Sequence, residues 1–188
     1  MPVISISPHA AKSSDSGHFY WMYQRLYQYG LATDRTRWRA IGPVSSCCEH
    51  IIGVIADDAK RNKFRVNPMF LRWYFWDRVD AEVARQAKAG VQKFQFYDGG
   101  LSDLIVAMRL SAKYPELKFL FNFHWAIEWV ELLSRRTPIA RLLAVYLSKM
   151  LSRRPTNMIL TAETDVFRRY LVRQFATTLE TYPIFTFF

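Results

Sequence analysis

Two corners of this 188-residue chain carry side chains suited to a hydroxyl-bearing or anionic ligand. The first is Phe96-Tyr97-Asp98-Gly99-Gly100, where a carboxylate precedes two glycines that allow close backbone approach to a ligand. The second is Asn122-Phe123-His124-Trp125, where an amide and an imidazole stand one residue apart. A neutral imidazole donates from one nitrogen and accepts at the other. Each corner also has a plainer reading. Asp98 is equally a turn residue ahead of paired glycines, and His124 is equally a histidine satisfied inside a core.

These corners need elements to hold them. The apolar runs Phe94–Tyr97 and Phe119–Phe123 have the length of one strand each, and Ser102–Lys113 between them has helical period. The spacing predicts a strand, a crossover helix and a parallel strand, both strands buried on two faces because apolar residues follow one another without alternation. Ligands of open parallel sheets collect beyond the carboxyl ends of the strands, which is where Asp98-Gly99-Gly100 and His124 fall.

Further strands are expected at Val3–Ser7, Trp38–Gly42 and Met158–Thr161, with an apolar segment at Ile51–Ala56. Helices are expected at His18–Tyr29, Met69–Ala89, Pro138–Ser152 and from a Thr161–Thr164 cap to Phe175. The aromatics at the start of the second of these, Phe70, Trp73, Tyr74 and Trp76, read as core. A strand-like run, Tyr182–Phe188, ends the sequence. Strands alternating with helices give a doubly wound α/β sheet, Rossmann-like and mainly parallel, in a single domain over 1–188.

Composition limits the classes. With 51% apolar and 16% aromatic residues the chain is globular, and no apolar stretch reaches the roughly 18 residues of a membrane span. The amino terminus, MPVISISPHAAKSSD, lacks the pattern of a secretory signal, which points to the cytoplasm. Cys47 and Cys48 are adjacent, so no disulfide framework is expected; Cys47-Cys48-Glu49-His50 has a metal-like look but no second cluster, and no metal is expected. The loop Asp15-Ser16-Gly17-His18 has one glycine and matches neither a dinucleotide fingerprint nor a P-loop.

The residues KSSDSGHF at Lys12–Phe19, FYDGG at Phe96–Gly100, NFHW at Asn122–Trp125, LTAETDVFRRYL at Leu160–Leu171 and YPIF at Tyr182–Phe185 together give a resemblance. In this order the chain resembles the amino-terminal, acceptor-binding domain of two-Rossmann-domain (GT-B) glycosyltransferases of the family 4-like group. The resemblance implies that Ser16, Gly17 and His18 line a cleft with Gly99, Gly100 and Asn122 as substrate contacts, and that Asp98 and His124 face the reacting centre. It implies no cofactor on this half, a nucleotide sugar as donor for the complete enzyme, and a lipid or glycan hydroxyl as acceptor. No second Rossmann unit follows Phe188, so a donor domain or second chain is expected as partner and the chain alone is expected to be inactive.

The net charge of +10 is spread over both halves of the chain, but Ser134–Pro155 holds Arg135, Arg136, Arg141, Lys149, Arg153 and Arg154 with no Asp or Glu. A solvated basic face is the plain reading. The alternative is a non-catalytic α/β binding module whose basic surface takes an anionic partner: a membrane, a phosphorylated ligand or, ranked last, nucleic acid. For the membrane, Arg135, Arg136, Arg153 and Arg154 are the expected surface, making the protein cytoplasmic and peripheral.

Overall fold

A computed structural model describes residues 3–6, 38–42, 51–54, 68–96, 100–123, 129–130, 133, 137–162, 164–175 and 180–181. Strands and helices alternate: β1 (Val3–Ile6), β2 (Trp38–Gly42), β3 (Ile51–Gly53), α1 (Pro68–Lys88), β4 (Lys93–Phe96), α2 (Leu101–Lys113), β5 (Lys118–Phe123), α3 (Pro138–Ser152), β6 (Met158–Ala162), α4 (Asp165–Phe175) and β7 (Glu180–Thr181). The fold is α/β and Rossmann-like, a parallel sheet flanked by helices, as the alternation of short apolar runs and helical periods predicts. The chain forms two compact units, Met1–Phe94 and Gln95–Phe188.

In the first unit the strands follow the order β3-β2-β1, with Val3 opposite Trp38 and Ala40 opposite Ile51, all in parallel. Ile4, Ile6 and Ile41 are fully buried. Helix α1 buries Phe75, Val79 and Val83, four residues apart and therefore on one face. It ends in a Schellman motif: the Gly90 N–H donates to Ala87 O at 2.9 Å and the Val91 N–H to Gln86 O at 3.0 Å. That turn needs the φ of +90° which Gly90 adopts and which side chains with a Cβ resist. Of the aromatics expected in the core of this helix, Trp76 is half-buried; the side chains of Phe70, Trp73 and Tyr74 lie outside the described residues, as do the loop from His9 to Gly17 and the helix expected over His18–Tyr29.

In the second unit, which takes β4 from Gln95 onward, the order is β4-β5-β6-β7. β5 and β6 are in register from Phe119↔Met158 to Phe123↔Ala162, and β6 pairs β7 in parallel at Thr161↔Glu180. Every residue from Phe119 to Phe123 is buried, and so are Phe94, Gln95 and Phe96, as expected of strands covered on both faces. Phe123 is the hub of an aromatic cluster, edge-on to Phe121 and to Trp129 at 5.0 Å and stacked with Phe175 of α4 at 6.3 Å.

The strand expected at Met158–Thr161 begins at Met158, and the Asn157 side chain just ahead of it has another task. Its Nδ2 lies 3.1, 3.0 and 2.7 Å from the carbonyl oxygens of Ser111, Tyr114 and Leu117. Those carbonyls belong to the last turn of α2 and the link into β5, where helix ends leave acceptors without intrahelical partners. The Asn157 carbonyl in turn accepts the Phe119 N–H at 2.9 Å. One residue thus ties the end of α2, the start of β5 and the start of β6. Asn157→Ala removes the amide donor from three carbonyls, of which Tyr114 O still keeps the Leu117 N–H at 3.1 Å, and is expected to destabilise the protein by about 2–3 kcal/mol, read as a lower midpoint in urea denaturation with an unchanged slope. Asn157→Asp, which replaces the donor by an acceptor facing carbonyls, should be at least as damaging. Gly90→Ala is expected to cost about 1 kcal/mol in the same assay.

Candidate functional site

The carboxyl edge of the second unit is built from the ends of β4, β5 and β6. Because β5 and β6 run parallel, Phe123 and Ala162 end at the same edge, and the helix that follows β6 starts there. Gly100 stands at the amino end of α2, four residues after Phe96. Asp98, Gly99 and His124 lie outside the described residues, as do Ser16, Gly17 and His18; Gly100 and Asn122 are described.

Gly100 caps α2 with an extended backbone, φ −80° and ψ 173°. Its N–H donates to Asp103 Oδ2 at 3.0 Å, and its carbonyl accepts the Leu104 N–H at 3.0 Å. Ser102 Oγ lies 3.4 Å from Asp103 Oδ1. Asp103 is only 6% exposed, so this carboxylate closes the helix end from inside the fold, where the positive end of the helix favours it.

Asn122 is 1% exposed and sits opposite Thr161 in the β5–β6 register, so the two side chains share a sheet face. The Thr161 hydroxyl donates to Asn122 Oδ1 at 3.1 Å, with Phe121 O at 3.4 Å beside it. The Asn122 carbonyl oxygen therefore locks β5 to β6 immediately before the expected His124 corner.

At the amino end of α4 the Thr164 hydroxyl accepts the Phe167 N–H at 3.2 Å, the N-cap expected from the sequence. Asp165 occupies the first turn, bonded by Arg168 Nη2 at 2.6 Å and Nε at 2.9 Å, with Arg169 at 2.9 Å. The Arg168 hydrogen bond is the main reason the Asp165 carboxyl titrates below the usual carboxylate range. Both helix starts at this edge are thus occupied by their own residues, and each carries an aspartate.

Of the cations expected on a basic surface, Arg153 is exposed and Arg154 half-buried, while Arg135 and Arg136 lie outside the described residues. No helix among the described residues is long and apolar enough to cross a membrane, and they hold no group of three or more His, Cys, Asp or Glu placed for a metal; Cys47–His50 lies outside them. Sequence reading did not mark Asp103, although an acid three residues after Gly100 is the signal of a capping box. No family model, no curated protein and no solved structure matches this chain significantly.

Two measurements follow from the edge. Thr161→Val removes the hydroxyl that satisfies the buried Asn122 oxygen and is expected to cost about 1–3 kcal/mol in denaturant unfolding. For Asp165 the folded pKa lies below the unfolded one, so its stabilisation is present above the usual carboxylate range and is lost as pH falls through the lowered value. The Asp165→Asn variant should therefore unfold slightly more easily at neutral pH and converge with the parent in acid, with a small difference because the pair is exposed.

Proposed function

We propose that this chain is the acceptor-binding half of a glycosyltransferase of two-Rossmann-domain architecture, which moves a hexose from a nucleotide sugar to a lipid or glycan hydroxyl once a donor-binding domain or second chain completes it. The observation that carries this reading is the condition of the helix starts at the carboxyl edge. A phosphate site at such an edge needs free backbone N–H groups and an uncompensated positive helix end. Here the Gly100 N–H is taken by Asp103, whose buried carboxylate would repel an incoming phosphate, and the Phe167 N–H is taken by Thr164. An edge of this kind favours a neutral polyhydroxyl ligand, the acceptor, over the diphosphate of the donor.

In this reading Asp98 and His124 hydrogen-bond the acceptor hydroxyl or the transferred sugar, and Gly99 and Gly100 let the backbone approach it. Asn122 fixes the end of β5 through Thr161, a positioning role rather than a contact. Transfer breaks the bond from the anomeric carbon to the donor phosphate oxygen and forms a bond to the acceptor oxygen. The hydroxyl proton is released and a nucleoside diphosphate leaves. The acid-free segment Ser134–Pro155, with its six cations in and around α3, favours a second reading, a non-catalytic module of the same fold that binds an anionic surface.

Titration calorimetry with oligosaccharide acceptors and a nucleotide sugar, paired with a turnover assay, tests the proposal. The chain alone is expected to bind acceptor, to lose that binding about tenfold or more in Asp98→Ala or His124→Ala, and neither to hydrolyse nor to transfer from nucleotide sugars. Turnover of a nucleotide sugar by the purified chain, abolished in His124→Ala, would overturn the half-enzyme reading. No saccharide binding at all would leave the binding module.

A further inference from the structure

We propose that the outer face of α3 docks on an anionic lipid bilayer. This surface stands on its own observations and does not depend on the glycosyltransferase reading. Helix α3 is apolar on two opposite faces. Leu147 and Leu151 are fully buried against the rest of the second unit, and Ser148 Oγ donates to the Phe175 carbonyl at 3.0 Å, which fixes α3 against the end of α4. On the other side Leu142, Val145 and Tyr146 are 71%, 67% and 58% exposed, and with Lys149 they follow the i, i+3, i+4, i+7 spacing of one helical stripe. A soluble helix does not ordinarily turn leucine, valine and tyrosine outward in a row, so this stripe is a contact surface.

Charge selects what it contacts. Arg141, Lys149 and Arg153 are exposed around the stripe, and no Asp or Glu occurs from Ser134 to Pro155. The nearest acid on the neighbouring helix that is described, Asp165, is bonded to Arg168 and Arg169 of its own helix. Two copies meeting through this face would set these cations against each other, whereas a negative surface satisfies all of them. The stripe continues into a shallow depression between α3 and α4 lined by Ala144, Val145, Ser148, Lys149, Ser152 and Gln174, whose apolar side adjoins the stripe and whose polar side suits the headgroup level. Tyrosine at the margin of such a stripe suits the same interface, its ring apolar and its hydroxyl wet. No helix among the described residues is long and apolar enough to cross a bilayer.

Co-sedimentation of the full chain with vesicles of phosphatidylcholine alone, and of phosphatidylcholine mixed with phosphatidylglycerol, tests this at low and high salt. Binding is expected to the anionic vesicles only and to weaken with salt. Each surface cation contributes about fivefold, so the triple variant Arg141→Gln, Lys149→Gln, Arg153→Gln should bind on the order of a hundredfold more weakly. Leu142→Ser with Val145→Ser should also lose binding, while Ile105→Ser, which alters an exposed apolar residue on α2, should not. All these positions are exposed, and unchanged circular dichroism confirms that the variants fold. Equal pelleting with neutral vesicles, indifference to salt, or unchanged binding by the triple variant would overturn the proposal. So would a dimer in sedimentation equilibrium that the Leu142 and Val145 changes dissociate without altering vesicle binding.

Discussion

The carboxamide of Asn157 is the constraint on which the second unit depends. Its two hydrogens serve three carbonyls, those of Ser111, Tyr114 and Leu117, while its own carbonyl holds the Phe119 N–H. A helix of limited length leaves its last carbonyls open, and a parallel crossover must then reverse within a few residues to enter the next strand. Water could satisfy those carbonyls at the surface, but water imposes no register. A side chain fixed in the neighbouring strand does, because it can reach all three only when Phe119 stands opposite Met158. A slip of one residue would turn Phe119, Phe121 and Phe123 to the opposite face and empty the aromatic cluster around Phe123.

That register is felt at the far edge. With Phe119 set against Met158, Asn122 falls opposite Thr161, and the hydroxyl of one meets the carbonyl oxygen of the other. Two polar side chains buried in a sheet would be costly apart and are satisfied together. The consequence for function is geometric. The backbone leading out of β5 toward His124 is held to β6 at its last turn of the pleat, so whatever follows starts from a fixed strand. The helix starts nearby are closed in the same spirit, Asp103 on Gly100 and Thr164 on Phe167.

Much of the fold was legible in the sequence because burial on both faces leaves a run without alternation. Phe94–Phe96 and Phe119–Phe123 are such runs, and the structure buries every residue in them. Pro138–Ser152 was legible to the residue, bounded by a proline that suits a first helical turn and by paired arginines before Pro155. Asn157 was not legible as a staple: its partners lie 40 to 46 residues earlier, and nothing local distinguishes it from the first residue of a strand. At the candidate site the sequence marked strand ends, which topology dictates, but not side-chain engagement. The resemblance makes Asn122 a substrate contact, while its side-chain partner Thr161 is set by the β5–β6 register, which no local motif contains.

Helix α3 shows a different limit. Its sequence is apolar over so wide an arc that Leu142, Val145 and Tyr146 cannot be separated by composition from Leu143, Leu147 and Leu151. Packing separates them. Ser148 fixes the rotation of the helix by reaching the Phe175 carbonyl, and a helix held at one rotation can bury only one of its two apolar arcs in the core. The other arc is then exposed by the same contact that secures the first. Surface hydrophobes scattered singly need no explanation, but three at helical spacing do, and the acid-free segment around them states what they are compatible with. Apolar contact alone would invite any greasy partner; the cations exclude those without negative charge, including the same face of another copy. In the proposed docking, attraction at long range and insertion at short range are divided between two sets of residues on and beside one helix, and neither set is buried in the core.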